Sequence, residues 1–350
     1  MGPGHWVSAS GREDVEVGRR GDVTLAQVAA QAGVAVGTAS KALSGAPHVR
    51  QSTRDRVLAS AEMLGYTRNE AARALKTGRS YMVGLITSDA DGRFTMPVIL
   101  GAENSLATGH MAILFCDAHD DPIRELHWID TLLGRNVDGF IVTSHRSDPR
   151  KSISEFTDLP TVYAYSPSVD DSDVSVVPDD EQGGRIAGEH LLSVGRRSIV
   201  HVGGPQSYLA SKLRRRGLMS ALKEADLDTP TAPIHGPWTE RAGRLAARVL
   251  LNRGARFDGV FCGSDQIARG VSEELQAHGI RVPEDVSIVG FDDWDMVTMA
   301  TDPQLTSVSM NLGKVGGIAA TRLLEIIGGV PVAPGIERVP CELVTRESSS

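Results

Sequence analysis

No apolar run in the 350-residue chain approaches the ~20 residues needed to cross a bilayer, so no membrane partner is expected. The first 21 residues are polar and Gly-rich and lack the apolar h-region of a secretory signal, which predicts a cytoplasmic protein. Three cysteines, Cys116, Cys262 and Cys341, are too few and too scattered for a disulfide framework. Each sits in or after an apolar run and reads as a reduced, buried thiol. The signatures of common enzymes are missing as well. There is no G-x-S-x-G, no phosphate-binding P-loop, no G-x-G-x-x-G and no H-E-x-x-H, so neither an enzyme nor a cofactor is expected. The run from Cys116 through His119 to Asp121, with His127, has no standard metal-ligand spacing. It reads as a polar loop closing a strand, and no metal is expected. The chain shows no short-period repeat and no low-complexity tract, and it ends without a heptad tail that would predict a helical tetramer.

What is present begins with a charge asymmetry. The formal net charge of −8 divides into +4 over residues 1–80 (11 Lys/Arg, 7 Asp/Glu) and −12 over the rest (25 and 37). A basic head on an acidic body fits a head that meets a polyanion, though the excess is modest. After a polar leader at 1–22, three short helical patterns follow. Leu25, Val28, Ala29 and Ala32 recur at i, i+3, i+4, i+7, with Thr24 as N-cap. A Gly33-Val34 turn leads to a second helix near 36–43, with Ala39 and Leu43 inward, broken by 44–47. A third, 54–64, turns Val57, Ala61 and Leu64 inward and closes at Gly65. Two helices joined through Ala32-Gly33-Val34-Ala35 suit a helix-turn-helix, or equally a plain helical hairpin. Residues 69–76 suggest a short fourth helix with little apolar face, too short to be stable alone.

From residue 81 the period changes. β-rich runs at 82–87, 112–117, 139–144, 161–165, 198–203, 259–264, 286–291 and 306–310 alternate with helical stretches. That order predicts parallel sheets with crossover helices, and the number of strands predicts two subdomains.

The head motif carries more than its spacing. Residues 23–45 (VTLAQVAAQAGVAVGTASKALSG), 53–57 (TRDRV), 64–66 (LGY) and 69–75 (NEAARAL) closely resemble the headpiece of the lactose-repressor (LacI/GalR) family, and the likeness extends to about Glu347. The resemblance implies a small all-α helix-turn-helix headpiece plus an α/β periplasmic-binding-protein-like body with two parallel-sheet subdomains. The implied domains are a leader at 1–22, a DNA-binding domain at 23–68, a hinge helix and linker at 69–79, and an effector and dimerisation domain at 80–350. Its N-subdomain would comprise 80–177 and 306–330, and its C-subdomain 178–305 and 331–347.

The family places Val36, Gly37 and Lys41 at the bases and Thr24, Thr38, Ser40 and Thr53 at phosphates of a pseudo-palindromic operator. It puts the hinge residues Asn69, Arg73 and Leu75 in the minor groove, with Leu75 as a wedge. Hydroxyls suit phosphate oxygens, a cation suits the guanine edge, and an exposed Leu can unstack a base step. Read alone, Lys41 is also compatible with a solvated surface lysine and 69–76 with a plain linker. Gly37, which offers no side chain, departs from the family pattern, as do Arg50, in place of a helix-capping Ser, and Arg68, in place of a frequent Pro.

In the body, strand ends offer Asp89, Ser264, Asp265, Asp292 and Asp293. The resemblance adds Arg214 from the R-x-x-G element, Trp238 as a stacking aromatic, and Arg93 and Phe94 at the cleft mouth. Arg214 could fork two ligand hydroxyls or a carboxylate. The bland readings are a solvated basic run for Arg214, a core position for Trp238 and a helix cap for Asp292 or Asp293. Tyr165 and Ser264 stand where relatives often carry Asp or Asn, which removes two familiar hydroxyl partners. The reading is a homodimeric, sequence-specific transcription regulator, a repressor, controlled by a small-molecule effector, first of all a sugar. The rivals are a transport-type solute-binding protein without a DNA role and a regulator sensing a nucleoside or other metabolite.

Overall fold

The computed structural model describes residues 23–43, 46–66, 78–89 and 92–349, and the chain divides into two compact units, up to Gly78 and from Arg79 onward. In the first unit, helices α1 (Leu25–Gln31), α2 (Val36–Leu43) and α3 (Gln51–Leu64) enclose a small core of Val28, Ala29, Ala39, Ala42, Val57 and Ala61. Thr24 and Gln27 form a reciprocal capping box at the start of α1. Gly33, at φ 63°, ends α1, with Val34 N–H donating to the Ala29 carbonyl and Gly33 N–H to that of Ala30. This left-handed stop turns the chain toward α2. Leu43 is only half-buried, and Ala42 takes the inner place alongside Ala39. Helix α3 starts at Gln51, three residues before the expected 54, although Arg50 before it supplies no side-chain cap. The hinge residues 69–76 lie outside the described residues.

The second unit holds two six-stranded sheets. The first runs β11-β5-β4-β3-β1-β2, all parallel. Its strands are β1 (Met82–Thr87), β2 (Ala112–Asp117), β3 (Gly139–Val142), β4 (Thr161–Ala164), β5 (Val174–Pro178) and β11 (Gly335–Val339). The second runs β12-β10-β9-β8-β6-β7, with β6 (Ile199–Gly203), β7 (Ile234–His235), β8 (Gly259–Cys262), β9 (Ser287–Asp292), β10 (Thr306–Ser309) and β12 (Glu342–Val344), only β12 being antiparallel. Helices α4 (Thr95–Thr108), α5 (Pro122–Gly134) and α11 (Leu312–Ile327) pack with the first sheet. Helices α6 (Asp180–Ser193), α7 (Leu209–Glu224), α8 (Glu240–Asn252), α9 (Asp265–Ala277) and the single turn α10 (Asp295–Thr298) accompany the second. The pairing α4–α11 is intimate: a Cβ on Gly101 would lie 1.9 Å from the Gly313 carbonyl oxygen, so only glycine allows that approach. All three cysteines are buried free thiols.

Two expected subdomain boundaries are corrected. Strand β10 (Thr306–Ser309) pairs with β9, so it belongs to the second sheet, not the first. Strand β11 (Gly335–Val339) pairs with β5, so it belongs to the first, not the second. Sheet membership is set by the pairing partner, which a strand's own periodicity does not encode. The chain therefore crosses between subdomains at Asp179, at Met310–Asn311 and at Pro340–Cys341. These segments are tied together. Asp179 N–H donates to the Val339 carbonyl, the Asn311 amide to the Pro340 carbonyl, and Cys341 N–H to the Gln182 side chain, each at 2.9 Å.

Candidate functional site

The first unit exposes much of α2 to solvent. Helix α2 buries Ala39 and Ala42, leaves Val36, Gly37 and Lys41 exposed, and keeps Thr38 and Ser40 half-exposed. Val36 keeps 49% of its surface, which for a β-branched residue on an eight-residue helix leaves an apolar knob in solvent. Thr53 is half-buried in the first turn of α3, and exposed Thr24 uses its hydroxyl in the capping box. All seven headpiece residues expected at DNA lie in this unit, five of them on α2. Asn69, Arg73 and Leu75 lie outside the described residues.

In the second unit a cavity of about 150 Å³ opens between the two sheets, beyond the carboxyl ends of their strands. One wall carries Arg93, Phe94, His145, Arg146, Ser147 and Tyr165, and the other Tyr208, Ala210, Arg214, Trp238, Ser264 and Asp292. Phe94 and Tyr165 stack at 5.0 Å with rings 20° apart. Trp238 faces Tyr208 at 6.2 Å. Gly204 makes room for the indole, since a Cβ there would lie 2.2 Å from its ring carbons. Tyr165 and Asp292 hold positive φ values of 71° and 104°, strained for residues with a side chain and typical of functional sites.

The electrostatic centre is Arg214, 97% buried in the middle of α7. Its Nε donates to Asp180 Oδ1 at 2.7 Å. Its Nη1 donates to the Gly263 carbonyl at 2.7 Å and to Asp292 Oδ1 at 3.2 Å, and its Nη2 to Met310 Sδ at 3.4 Å. The guanidinium lies 3.7 Å from the Phe291 ring centroid. Burial disfavours its charge, but Asp180 and Asp292 more than offset that and raise its pKa above the usual arginine value. The other oxygen of Asp292 accepts from Arg93 Nη2 at 2.5 Å, and Arg93 Nη1 donates to Gln266 at 3.2 Å. Arg93 therefore joins the first subdomain to the second, over the Trp294 ring at 4.3 Å. On the far side of this pair a more open cavity of about 430 Å³ reaches Met310 and Asn311 at a crossing segment. Burial also pushes the Tyr165 phenol well above its ordinary pKa, keeping it a neutral hydroxyl.

Seven of the nine expected effector residues, Arg93, Phe94, Tyr165, Arg214, Trp238, Ser264 and Asp292, line the cavity, and two do not. Asp89 Oδ2 accepts from the N–H groups of Phe94 and Thr95, both at 3.0 Å, and so fixes the start of α4. Asp265 is fully buried; it accepts from Trp294 N–H at 2.7 Å and from the Ser307 hydroxyl. A strand-end carboxylate beside open backbone N–H groups satisfies those first. Arg214, expected to fork onto a ligand, has four of its five N–H groups on protein partners. Ser264 serves both purposes, capping α9 through Ile267 N–H while lining the cavity. Sequence reading missed His145, Arg146, Ser147 and Tyr208. The first three follow β3, so the strand-end rule that found Asp292 could have found them.

The HTH-type transcriptional regulator CelR of Thermobifida fusca is 34% identical to this chain over 339 residues, 94% of this chain and 99% of its own. The chain belongs to the lacI family of bacterial regulatory proteins. The family's DNA-binding model matches residues 24–69, and that of a periplasmic binding protein-like domain matches 189–349. Two solved structures agree in fold. The complex of transcriptional regulator CelR with cellobiose has a TM-score of 0.66 at 30% identity, covering 93% of this chain and all of that one. The lac repressor dimer bound to operator and the anti-inducer ONPF has a TM-score of 0.71 at 26% identity, covering 93% and 99%. This lacI-family protein is a DNA-binding transcriptional regulator with an effector-binding domain, and its named relatives are regulators rather than enzymes. The transport-type rival is set aside, because the likeness spans the headpiece as well as the body. No helix among the described residues is long and apolar enough to cross a membrane.

Proposed function

We propose that this lacI-family regulator binds a pseudo-palindromic operator as a homodimer, represses transcription, and releases its site when a sugar enters the cavity between its subdomains. Val36 and Lys41 read base edges, with Gly37 allowing close approach. Thr24, Thr38, Ser40 and Thr53 contact phosphates, and Asn69, Arg73 and Leu75 act in the minor groove. Arg93, Phe94, Tyr165, Arg214, Trp238, Ser264 and Asp292 hold the effector. Aromatic walls beside convergent polar groups suit the alternating C–H and O–H faces of a sugar ring, and the CelR–cellobiose complex supports that class.

The observation that carries the switch is the position of Arg214. It touches the cavity wall at Asp292 and the crossing segment at Met310, so a ligand that rearranges Asp292 also acts on the hinge between subdomains. Dimerisation is supported by apolar side chains left in solvent, Met96 and Leu100 one turn apart on α4, Phe115 on edge strand β2, and Leu245 and Val249 one turn apart on α8. Thermal-shift screening of the full chain against sugars and nucleosides tests the effector class. A sugar that raises the melting temperature and weakens operator binding is expected. Stabilisation by nucleosides alone would overturn the sugar assignment.

A further inference from the structure

We infer that the effector is a single-ring sugar carrying one carboxylate, with Arg146 as its counter-ion; this rests on the sugar-sensing reading above. The charge balance of the cavity points there. Three cations line it, Arg93, Arg146 and Arg214, against one lining carboxylate, Asp292. Arg214 is paired with Asp180 behind the wall, and Arg93 with Asp292. Among the described residues Arg146 has no carboxylate oxygen within 4.0 Å of its nitrogens, and its guanidinium lies 5.3 Å from the Tyr208 ring centroid. An adjoining cavity shares Arg146 and holds Asp120, Asp121, Glu125 and Asp148, none of which comes within 4.0 Å of the Arg146 nitrogens. Glu125 pairs with Arg150, Asp121 caps α5 and Asp148 accepts from Leu209 N–H. The Arg146 guanidinium thus reaches the cavity wall without a direct carboxylate partner, where it favours an anion over a neutral guest.

The neighbours of Arg146 fit an oxyanion. Ser147 is 8% exposed, and His145, which bonds Ser88 Oγ through Nδ1 at 3.2 Å, lines the cavity next to it. One loop, 145–147, therefore brings three donor-bearing side chains to one wall, while Trp238 and the Phe94–Tyr165 stack offer flat apolar faces for the ring. The volume sets the size. A cavity of about 150 Å³ is in the class that admits one six-membered ring. A single guanidinium matches one carboxylate better than a phosphate monoester, which carries about −1.5 to −2 at neutral pH.

The test is calorimetric titration of the full chain with a panel of aldohexoses, the corresponding hexuronates, and hexose 6-phosphates. We expect the best-bound stereoisomer to bind as its carboxylate roughly tenfold or more tightly than as its neutral parent, the advantage of a charge-assisted hydrogen bond. Arg146→Gln should bring that ratio close to one, and Arg146→Lys should keep part of it, with ligand-free melting curves reporting that both variants fold. A neutral sugar bound as tightly as its acid, a phosphate ester preferred to the carboxylate, or an unchanged ratio in Arg146→Gln would overturn the inference while leaving a sugar effector intact. Nucleosides binding where no sugar of any charge binds would overturn both.

Discussion

Replacing Arg214 by Met keeps most of the stem and removes the guanidinium, leaving Asp180, only 3% exposed, with no cation. Asp292 keeps Arg93. Breaking a buried pair from one side costs about 3–5 kcal/mol, because the surviving charge stays buried without a partner. At roughly 2–4 °C per kcal/mol for a domain of this size, the melting temperature of the body should fall by roughly 6–20 °C. Two controls isolate the cause. Asp180→Asn in the Arg214→Met background removes the orphaned charge, so the double variant should be more stable than the sum of the single losses requires. Acid should also narrow the deficit. Burial raises the folded-state pKa of Asp180, so the penalty applies where the carboxylate is ionised and fades as pH falls through that raised value. Urea unfolding of the four proteins at pH 7.5 and 5.0 reads both effects. A loss under about 1 kcal/mol, strict additivity of the two substitutions, or a deficit that grows in acid would refute the buried-pair reasoning.

Three further outcomes are expected. Gly204→Ala places a methyl group on the Trp238 ring; displacing the indole should weaken effector binding roughly tenfold or more in calorimetry, with a smaller effect on binding to a selected duplex. Gly33→Ala forces a left-handed backbone on a residue with a side chain, and should cost the headpiece about 1 kcal/mol, read as weaker DNA binding and faster hydrogen exchange in α1 and α2. His201 is buried beside Phe261, and burial lowers its pKa to about 4 from 6.5. The unfolded chain then takes the extra proton, so this contribution to stability is complete above about pH 6.5 and is lost as pH falls toward 4, by up to about 3 kcal/mol. His201→Phe should flatten that part of the pH profile in denaturant titrations, and a profile identical to wild type would count against it.

The headpiece was legible because it is local. Thr24, Gly33 and the inward Val28, Ala29, Ala39, Val57 and Ala61 follow from spacing and turn chemistry, and the structure places them as read. Eight strands could be seen as apolar runs, whereas four escaped. Val174–Pro178 contains a proline, Ile234–His235 and Glu342–Val344 are too short for a period, and Gly335–Val339 alternates like an edge strand with one wet face. The two misplaced segments, β10 and β11, show the limit of periodicity, since it reports how a strand is buried but not whom it pairs with. In the site, strand ends located the cavity, but residue type alone could not separate Asp292, which lines it, from Asp89 and Asp265, which hold backbone N–H groups and a neighbouring hydroxyl. That difference depends on the first turn of the next helix, which is set by tertiary packing.

The central claim is that the outward face of α2 reads duplex sequence. Selection of random duplexes by the full-length protein, with and without sugars, followed by titration of the enriched duplex and a scrambled one at a single stated salt concentration, tests it directly. We predict enrichment of a pseudo-palindrome, with Lys41→Ala losing affinity for that duplex by about 1–3 kcal/mol more than for the scrambled one. No enriched sequence under any condition, or equal losses on both duplexes, would contradict it.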